Sequence, residues 1–407
     1  MTGPLNGIRV IDFTRVLAGP HFTKILCDMG AQVIKIEHPV SGDLARVGSP
    51  FTGLFSHYFA QQNAGKRCLS VDLNTDEGRS IIKKLCLQAD IIAENFRPGT
   101  LNAFDLDYES IKLINDKIIY ISISGYGQSG PYRGRAAFAP TVHAECGTAN
   151  AKFRHLGIDL EDEKSMQSDF SHADVYTGLE ATISCLAALH HRNMTGEGQH
   201  VDVSLAATML AVNEKAHAEL AGLDDRKDEP FALSAPDSPF IKLPSGQIVV
   251  IAASPVLTPV FLRYARMMRR YDLLDMPIYK TSKLRRKNIS SLMKEVSDWA
   301  ATFRNIQDLE AQIGEAGLAV GTLRSMKEFA EGEWGKYWGA IKELKDGKDG
   351  IIKVPGLPWK FSKSDCKPKN HLATRGMDNA KILLEMGYSK KDIKLLVQKS
   401  IITEGVY

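Results

Sequence analysis

The sequence predicts an α/β protein, with a large domain on a parallel sheet followed by a smaller α+β domain. Three observations lead there. Short β-branched runs alternate with helical patterns through the first third of the chain. A polar, proline-bearing stretch at 222–238, "GLDDRKDEPFALSAPDS", then interrupts the pattern and reads as a linker. Beyond it, "FIKLPSGQIVVIAAS" reads as a hairpin about Ser245 and Gly246, and 256–330 as mostly helical.

The elements follow in order. "GIRVIDF" (7–13) is a strand, "HFTKILCDMG" (21–30) a helix closing on Gly30, and "AQVIKIE" (31–37) a second strand, which together make a βαβ start. "RCLSVDL" is the next strand, followed by a helix over 74–89 capped by Asn74 or Thr75. "DIIAENF" (90–96) is a strand, 108–116 a helix, and the run before Gly125 a further strand. The stretch 125–168 is loop-rich. A strong helix covers 173–192, with Val175, Leu179, Ile183, Leu186 and Leu189 on one apolar face. "NMTGEGQHVDVSL" turns into another strand, 350–362 returns to strand and turn character, and the tail is a helix pair split at Gly387. The large domain is therefore expected over 1–221, completed by 351–407, the small one over 239–330, and a return linker over 331–350.

"SGYGQSGPYRGRAAFAP" contains a literal GxGxxG at Gly125, Gly127 and Gly130, directly after a strand. A dinucleotide fingerprint needs its third glycine to open a helix whose first amides hold the pyrophosphate. Here Pro131, Gly134 and Pro140 exclude a helix, and no apolar helical face is expected before about residue 175. The motif reads as a turn. Glu37 stands about where a ribose-binding acid would, but "RVLAGP" lacks the glycines that an NAD dehydrogenase requires.

Composition excludes other classes. The 407 residues carry 51 basic and 48 acidic side chains, a net charge of +3 that calls for no nucleic acid. The basic clusters at 263–272 and 283–288 read as solvated helix faces. Six scattered cysteines, at 27, 68, 86, 146, 185 and 366, have no CxxC spacing, which argues against a zinc site or a disulfide scaffold. With no secretory leader pattern and no membrane-length apolar run, a cytoplasmic protein is expected, without membrane or metal partners.

"PLNGIRVIDFTRVLAGPHFTKILCDMGAQVIKIEHPVSGDLAR" closely resembles the opening of the class III coenzyme A transferases (CaiB/BaiF proteins). That group includes formyl-CoA and carnitine-type CoA transferases and the α-methylacyl-CoA racemases. Later landmarks match in order: "AGKRCLSVDLNTDEG", "ENFRPGTL", "ISGYGQSGPY", "ADVYTGLEATISCLAALHHR" and "TGEGQHVDVSL". The match is dense over 1–215 and thin over 222–350. It implies a Rossmann-like large domain, an intertwined homodimer of two ring-like chains, acyl-CoA and a carboxylic acid as substrates, and no prosthetic group.

The family's catalytic carboxylate precedes the TG of "ADVYTGLEA", which is Asp174. In the first helical turn, free amides and the helix dipole are expected to keep it ionised for attack on a thioester carbonyl. An aspartate there could equally be an ordinary N-cap. Asp169 is a nearby carboxylate without the TG register. By position, the resemblance places CoA against Arg15, Val16, Leu17 and Ala18 in the first βα loop, against His38 and Val71, and against Asn95, Phe96, Arg97 and Phe104. Arginine suits phosphate because its fork donates two hydrogen bonds.

There are departures. Ala103 stands where relatives often have arginine and Asn74 where some have lysine, so phosphate recognition is expected to be rearranged. No polar helper lies between Phe138 and Ala139, while His143, at a position commonly held by glutamine, is a candidate substrate contact. An acyl-CoA racemase on the same fold would need a base on each face of the α-carbon, and its histidine motif is missing near Phe138. A non-catalytic CoA-binding protein would lack Asp174.

Overall fold

The computed structural model describes residues 3–156, 171–214, 216–222, 237–346, 350–367 and 369–405. The chain divides into two compact units, one of Met1–Thr148, Ser168–Asn213 and Ala330–Tyr407, the other of Ala149–Gln167 and Glu214–Phe329.

The first unit is built on Arg9–Asp12 (β1), Gln32–Glu37 (β2), Arg67–Ser70 (β3), Ile91–Glu94 (β4), Ile119–Ser124 (β5) and Gln199–Ser204 (β6). They form one six-stranded sheet in the order β3-β2-β1-β4-β5-β6, with every neighbouring pair parallel. β4 and β5 are buried at every position, as strands covered on both faces must be. One face carries Ala18–Asp28 (α1) and His172–Thr195 (α6) over Val10, Val33, Ile91 and Ile119. The other carries Asp76–Cys86 (α3) and the helices Asn379–Glu385 and Lys390–Gln398 over Ile11, Ile36, Leu69 and Ile92. Alternate residues of each strand thus feed two different cores.

Local chemistry sets the ends. Thr75 caps α3 by accepting the Gly78 amide at 3.1 Å, and Gly30, at φ +109°, follows the end of α1. The helix predicted over 108–116 is shorter, Tyr108–Lys112 (α4), and starts on the Asp107 cap.

The loop-rich expectation for 125–168 needs correction. No helix follows Gly130, and Gly127 holds a turn at φ +95° with the neighbouring Gln128 amide on Asp202 at 2.7 Å. A short helix nevertheless runs over Ala139–Glu145 (α5), because Pro140 falls in its first turn, where an amide has no partner to lose. A second helix begins at Thr148.

The apolar face assigned to the long helix is also corrected. α6 buries Ala173, Thr177, Gly178, Ala181, Cys185 and Ala188; of the predicted face Leu189 is buried and Leu186 packs on the core, while Leu179 is 39% and Ile183 61% exposed. Small residues face inward because α6 packs closely on α1. The stretch 331–350 holds the helix Glu333–Trp338 and the strand Ile341–Lys345, which pairs with Ile351–Pro355. That hairpin packs on His57–Asn63 (α2) through Ala60, Leu344 and Ile352.

The second unit holds a three-stranded antiparallel sheet of Phe240–Lys242, Ile248–Ile251 and Val320–Thr322, with the predicted turn at Gly246. Helices Thr258–Met268, Ile289–Ala300 and Ile306–Glu315 share its core. The basic clusters are not wholly solvated. Arg285 is buried, donating to the Val256 and Tyr279 carbonyls, and Arg286 pairs with Asp237. Tyr264, Met267 and Met268 of the first cluster also lie in the core.

Candidate active site

In this strand order, the chain leaves β1 and β4 in opposite directions, and the carboxyl ends of those strands form the crevice where doubly wound sheets bind ligands. The turn after β1 carries Arg15, Val16 and Leu17, and the loop after β4 carries Asn95, Phe96 and Arg97. The two loops are clamped together. The Arg15 amide donates to Asn95 Oδ1 at 2.8 Å, and Asn95 Nδ2 returns a bond to the Arg15 carbonyl at 2.9 Å. Asn95 therefore spends its side chain on the backbone of the turn.

The remaining predicted CoA residues sort by exposure. Arg97 is exposed, and Arg15 is half-buried with Nη2 on the Gly42 carbonyl at 3.3 Å. His38 is exposed after β2, its Nδ1 accepting the Val40 and Ser41 amides and its Nε2 3.9 Å from Asp72. Phe96 and Phe104 lean on the core beneath α3. Leu17, Ala18 and Val71 are buried, so their side chains serve packing. Asn74 is exposed and folds back on Asp72, and Ala103 is exposed.

Asp174 lies in the first turn of α6, three residues beyond the N-cap Ser171, and so is not itself the cap. Thr177 donates back to the Ala173 carbonyl at 2.6 Å, within the helix. Gly178 explains the TG register. A Cβ there would stand 2.8 Å from the Ala18 carbonyl oxygen and 3.1 Å from His21 Cδ2. Only glycine lets α6 cross the start of α1 this closely, and Asp174 stands one turn upstream of that crossing.

The electrostatics differ from the expectation. Removal from water pushes the Asp174 carboxyl up to about 6, opposed only by its own backbone amide. Burial outweighs the helix terminus here, and among the described residues no cation offsets it. The carboxyl is nevertheless mostly ionised at neutral pH. Burial raises the phenol of Tyr58 on α2, and the charges of Asp174 and Asp43 add to it.

His143 Nδ1 lies 3.0 Å from Thr148 Oγ1, and Nε2 accepts the Ala173 amide at 3.3 Å. It tethers the start of α6. Asp169 lies outside the described residues. Sequence reasoning missed Tyr58, Asp43 and Lys35. Lys35 had a signal, since a lysine inside an apolar parallel strand must find a buried partner. Among the described residues no group of three or more His, Cys, Asp or Glu side chains is placed to hold a metal, and no helix is long and apolar enough to cross a membrane.

The parallel sheet with its switch point between β1 and β4, and the half-buried carboxylate at the start of α6, fit the α/β class that the sequence resembles. The family model "CoA-transferase family III" matches residues 5–379, and the chain belongs to that family. It is similar to human succinyl-CoA:glutarate CoA-transferase, at 32% identity over 98% of this chain and 90% of that protein. It is similar as well to succinate–glutarate CoA-transferase of Agrobacterium fabrum, at 31% identity over 94% of this chain and 96% of that one. Among solved structures, a CAIB/BAIF family protein from Brucella suis superposes with a TM-score of 0.77 at 28% identity, over 95% of this chain and all of that one.

Proposed function

We propose that this class III CoA-transferase moves CoA from succinyl-CoA to a small dicarboxylic acid through covalent intermediates on Asp174. The observation that carries the reading is a half-buried carboxylate with no cationic partner among the described residues, one turn from the close crossing of α6 on the start of α1. A carboxylate relieved of water and of ion pairing is a better nucleophile than a solvated one. Asp174 attacks the thioester carbonyl and expels CoA thiolate, leaving an acyl-aspartyl anhydride. The thiolate attacks the aspartyl carbonyl of that anhydride and releases the donor acid, leaving aspartyl-CoA. The acceptor carboxylate attacks the aspartyl thioester and displaces the thiolate, which then attacks the acceptor carbonyl of the second anhydride and frees Asp174. Each step conserves the activated acyl bond.

Arg15 and Arg97 are read as contacts to the CoA phosphates. His143, with both ring nitrogens engaged, is read as a tether of α6. The choice of succinyl-CoA and a dicarboxylate rests on the names of the relatives above. Incubating the enzyme with succinyl-, acetyl- or formyl-CoA and a panel of mono- and dicarboxylates, with mass detection of new thioesters, tests it. Succinyl-CoA with glutarate should give glutaryl-CoA. Exchange with formyl- or acetyl-CoA alone would overturn the substrate assignment.

The large unit is read as the CoA-binding body of an interlocked homodimer. Tyr176, Leu179 and Ile183 expose apolar surface along α6, where a second chain would cover it. Light scattering should give twice the chain mass down to nanomolar concentration. A folded monomer on dilution would exclude interlocking.

A further inference from the structure

We propose that Asp43, paired with Lys35, is a positioning residue for CoA binding, holding the β1–α1 turn with Val16 in a left-handed conformation. The proposal rests on the reading above that this turn receives CoA.

Val16 sits at φ +67°, a region that a β-branched side chain strongly disfavours. The other non-glycine residues with positive φ among those described are Asp105, Arg269 and Ser400, none of them β-branched. Such a conformation persists only where the surroundings impose it, and here they do. The Thr14 amide donates to Asp12 Oδ1 at 2.9 Å, and the Thr14 carbonyl accepts Lys35 Nζ at 2.6 Å. Arg15 is held at both backbone groups by Asn95. The Val16 amide donates to Asp43 Oδ1 at 3.0 Å.

Asp43 is itself fixed from several sides. Its Oδ2 lies 2.8 Å from Lys35 Nζ, both side chains being essentially inaccessible. Its Oδ1 also accepts the Ala45 amide at 2.9 Å, and its own amide donates to Glu37 Oε2 at 3.0 Å. Burial alone would neutralise such groups, but each partner holds the other charged. Lys35 thus reaches both ends of the strained segment, through the Thr14 carbonyl and through Asp43. This buried pair takes no part in the chemistry proposed for Asp174, and it ties the β1–α1 turn, at Thr14 and Val16, to the start of the segment after β2 at Ala45.

The test is steady-state kinetics with the acyl-CoA donor, titration calorimetry with CoA, and thermal melting. Asp43→Ala should raise the KM for acyl-CoA and the Kd for CoA about tenfold, with kcat within about threefold, as expected for loss of a charge-assisted bond that sets binding geometry. Asp43→Asn keeps an oxygen for the Val16 amide but sets its NH2 against the Lys35 ammonium, so it should recover only part of that loss. In a Val16→Gly background, where the left-handed conformation carries no steric cost, Asp43→Ala should change Kd by no more than about threefold. Asp43→Ala strands the Lys35 ammonium, so the paired variant Lys35→Met/Asp43→Ala removes both charges and carries the same expectation if the single variant does not fold.

A lower melting temperature with KM and Kd unchanged would overturn the proposal, as would an equal penalty in the Val16 and Gly backgrounds. Absence of CoA binding to the unaltered enzyme would overturn the CoA reading itself, and this proposal with it. Binding by the unaltered enzyme that the variants match overturns this proposal alone.

Discussion

Asp174→Ala should fold and transfer no CoA, with turnover down by at least about 10⁴-fold, the scale of losing a covalent nucleophile. The fold has little to lose at this position. Asp174 is not the cap of α6, and no cation neighbours it among the described residues. The substitution should even stabilise. The folded carboxyl, near 6, holds its proton more tightly than an unfolded aspartate near 3.9, so its ionised form is penalised by folding. That penalty is absent below about pH 4, grows between pH 4 and 6, and is complete above, at up to about 3 kcal/mol. Asp174→Asn should therefore melt above the parent at pH 7–8, and the difference should vanish in acid. The same ionisation should give kcat/KM an acid limb with an apparent pKa near 6. With acyl-CoA and no acceptor, hydroxylamine or borohydride should mark a peptide containing residue 174. Substantial transfer by Asp174→Ala, or labelling that maps to Asp169, would show that another carboxylate is the nucleophile.

Gly178→Ala should lose activity out of proportion to stability. Its new methyl would meet the Ala18 carbonyl at 2.8 Å and His21 at 3.1 Å, and the first of these is backbone, which cannot swing aside. α6 must then move off α1. Overpacking of this size costs about 1–3 kcal/mol, a fall of several degrees in Tm. The displaced helix carries Asp174 one turn away, and a shift near 1 Å in a reacting group costs about 10²-fold in rate. Gly178→Leu should not accumulate as soluble protein. Turnover of Gly178→Ala within twofold of the parent would mean that the α1–α6 crossing does not place the carboxylate.

Much of the frame was legible in the chain itself. The strands over 7–13, 31–37, 67–73, 90–96 and the run before Gly125 lie where β-branched runs and flanking turns put them. The Thr75 cap and the Gly246 turn were readable because backbone conformation there depends on one or two adjacent side chains. Asp174 was picked out by the resemblance that "ADVYTGLEA" carries, since by itself an aspartate in a first helical turn reads equally as a cap.

What depends on distant residues was not legible. The inward face of α6 reads as its weak side, because Ala, Gly, Thr and Cys are buried there by a close crossing that apolar periodicity does not report. Leu179 and Ile183 on the same helix point outward. Asn95 places its amide on the Arg15 backbone, 80 positions away in sequence, which no local pattern reports. Asp174 was expected to be held ionised by its helix end, yet its carboxyl is set by desolvation, a property of everything packed around it. Sequence determined the parallel strands of the first unit, the Thr75 cap and the resemblance that points to Asp174, because hydrogen bonding and periodicity act over a few residues. Tertiary structure decided the buried face of α6, the left-handed Val16 and the charge state of Asp174, because close packing and dielectric are summed over groups that meet only when the chain has folded.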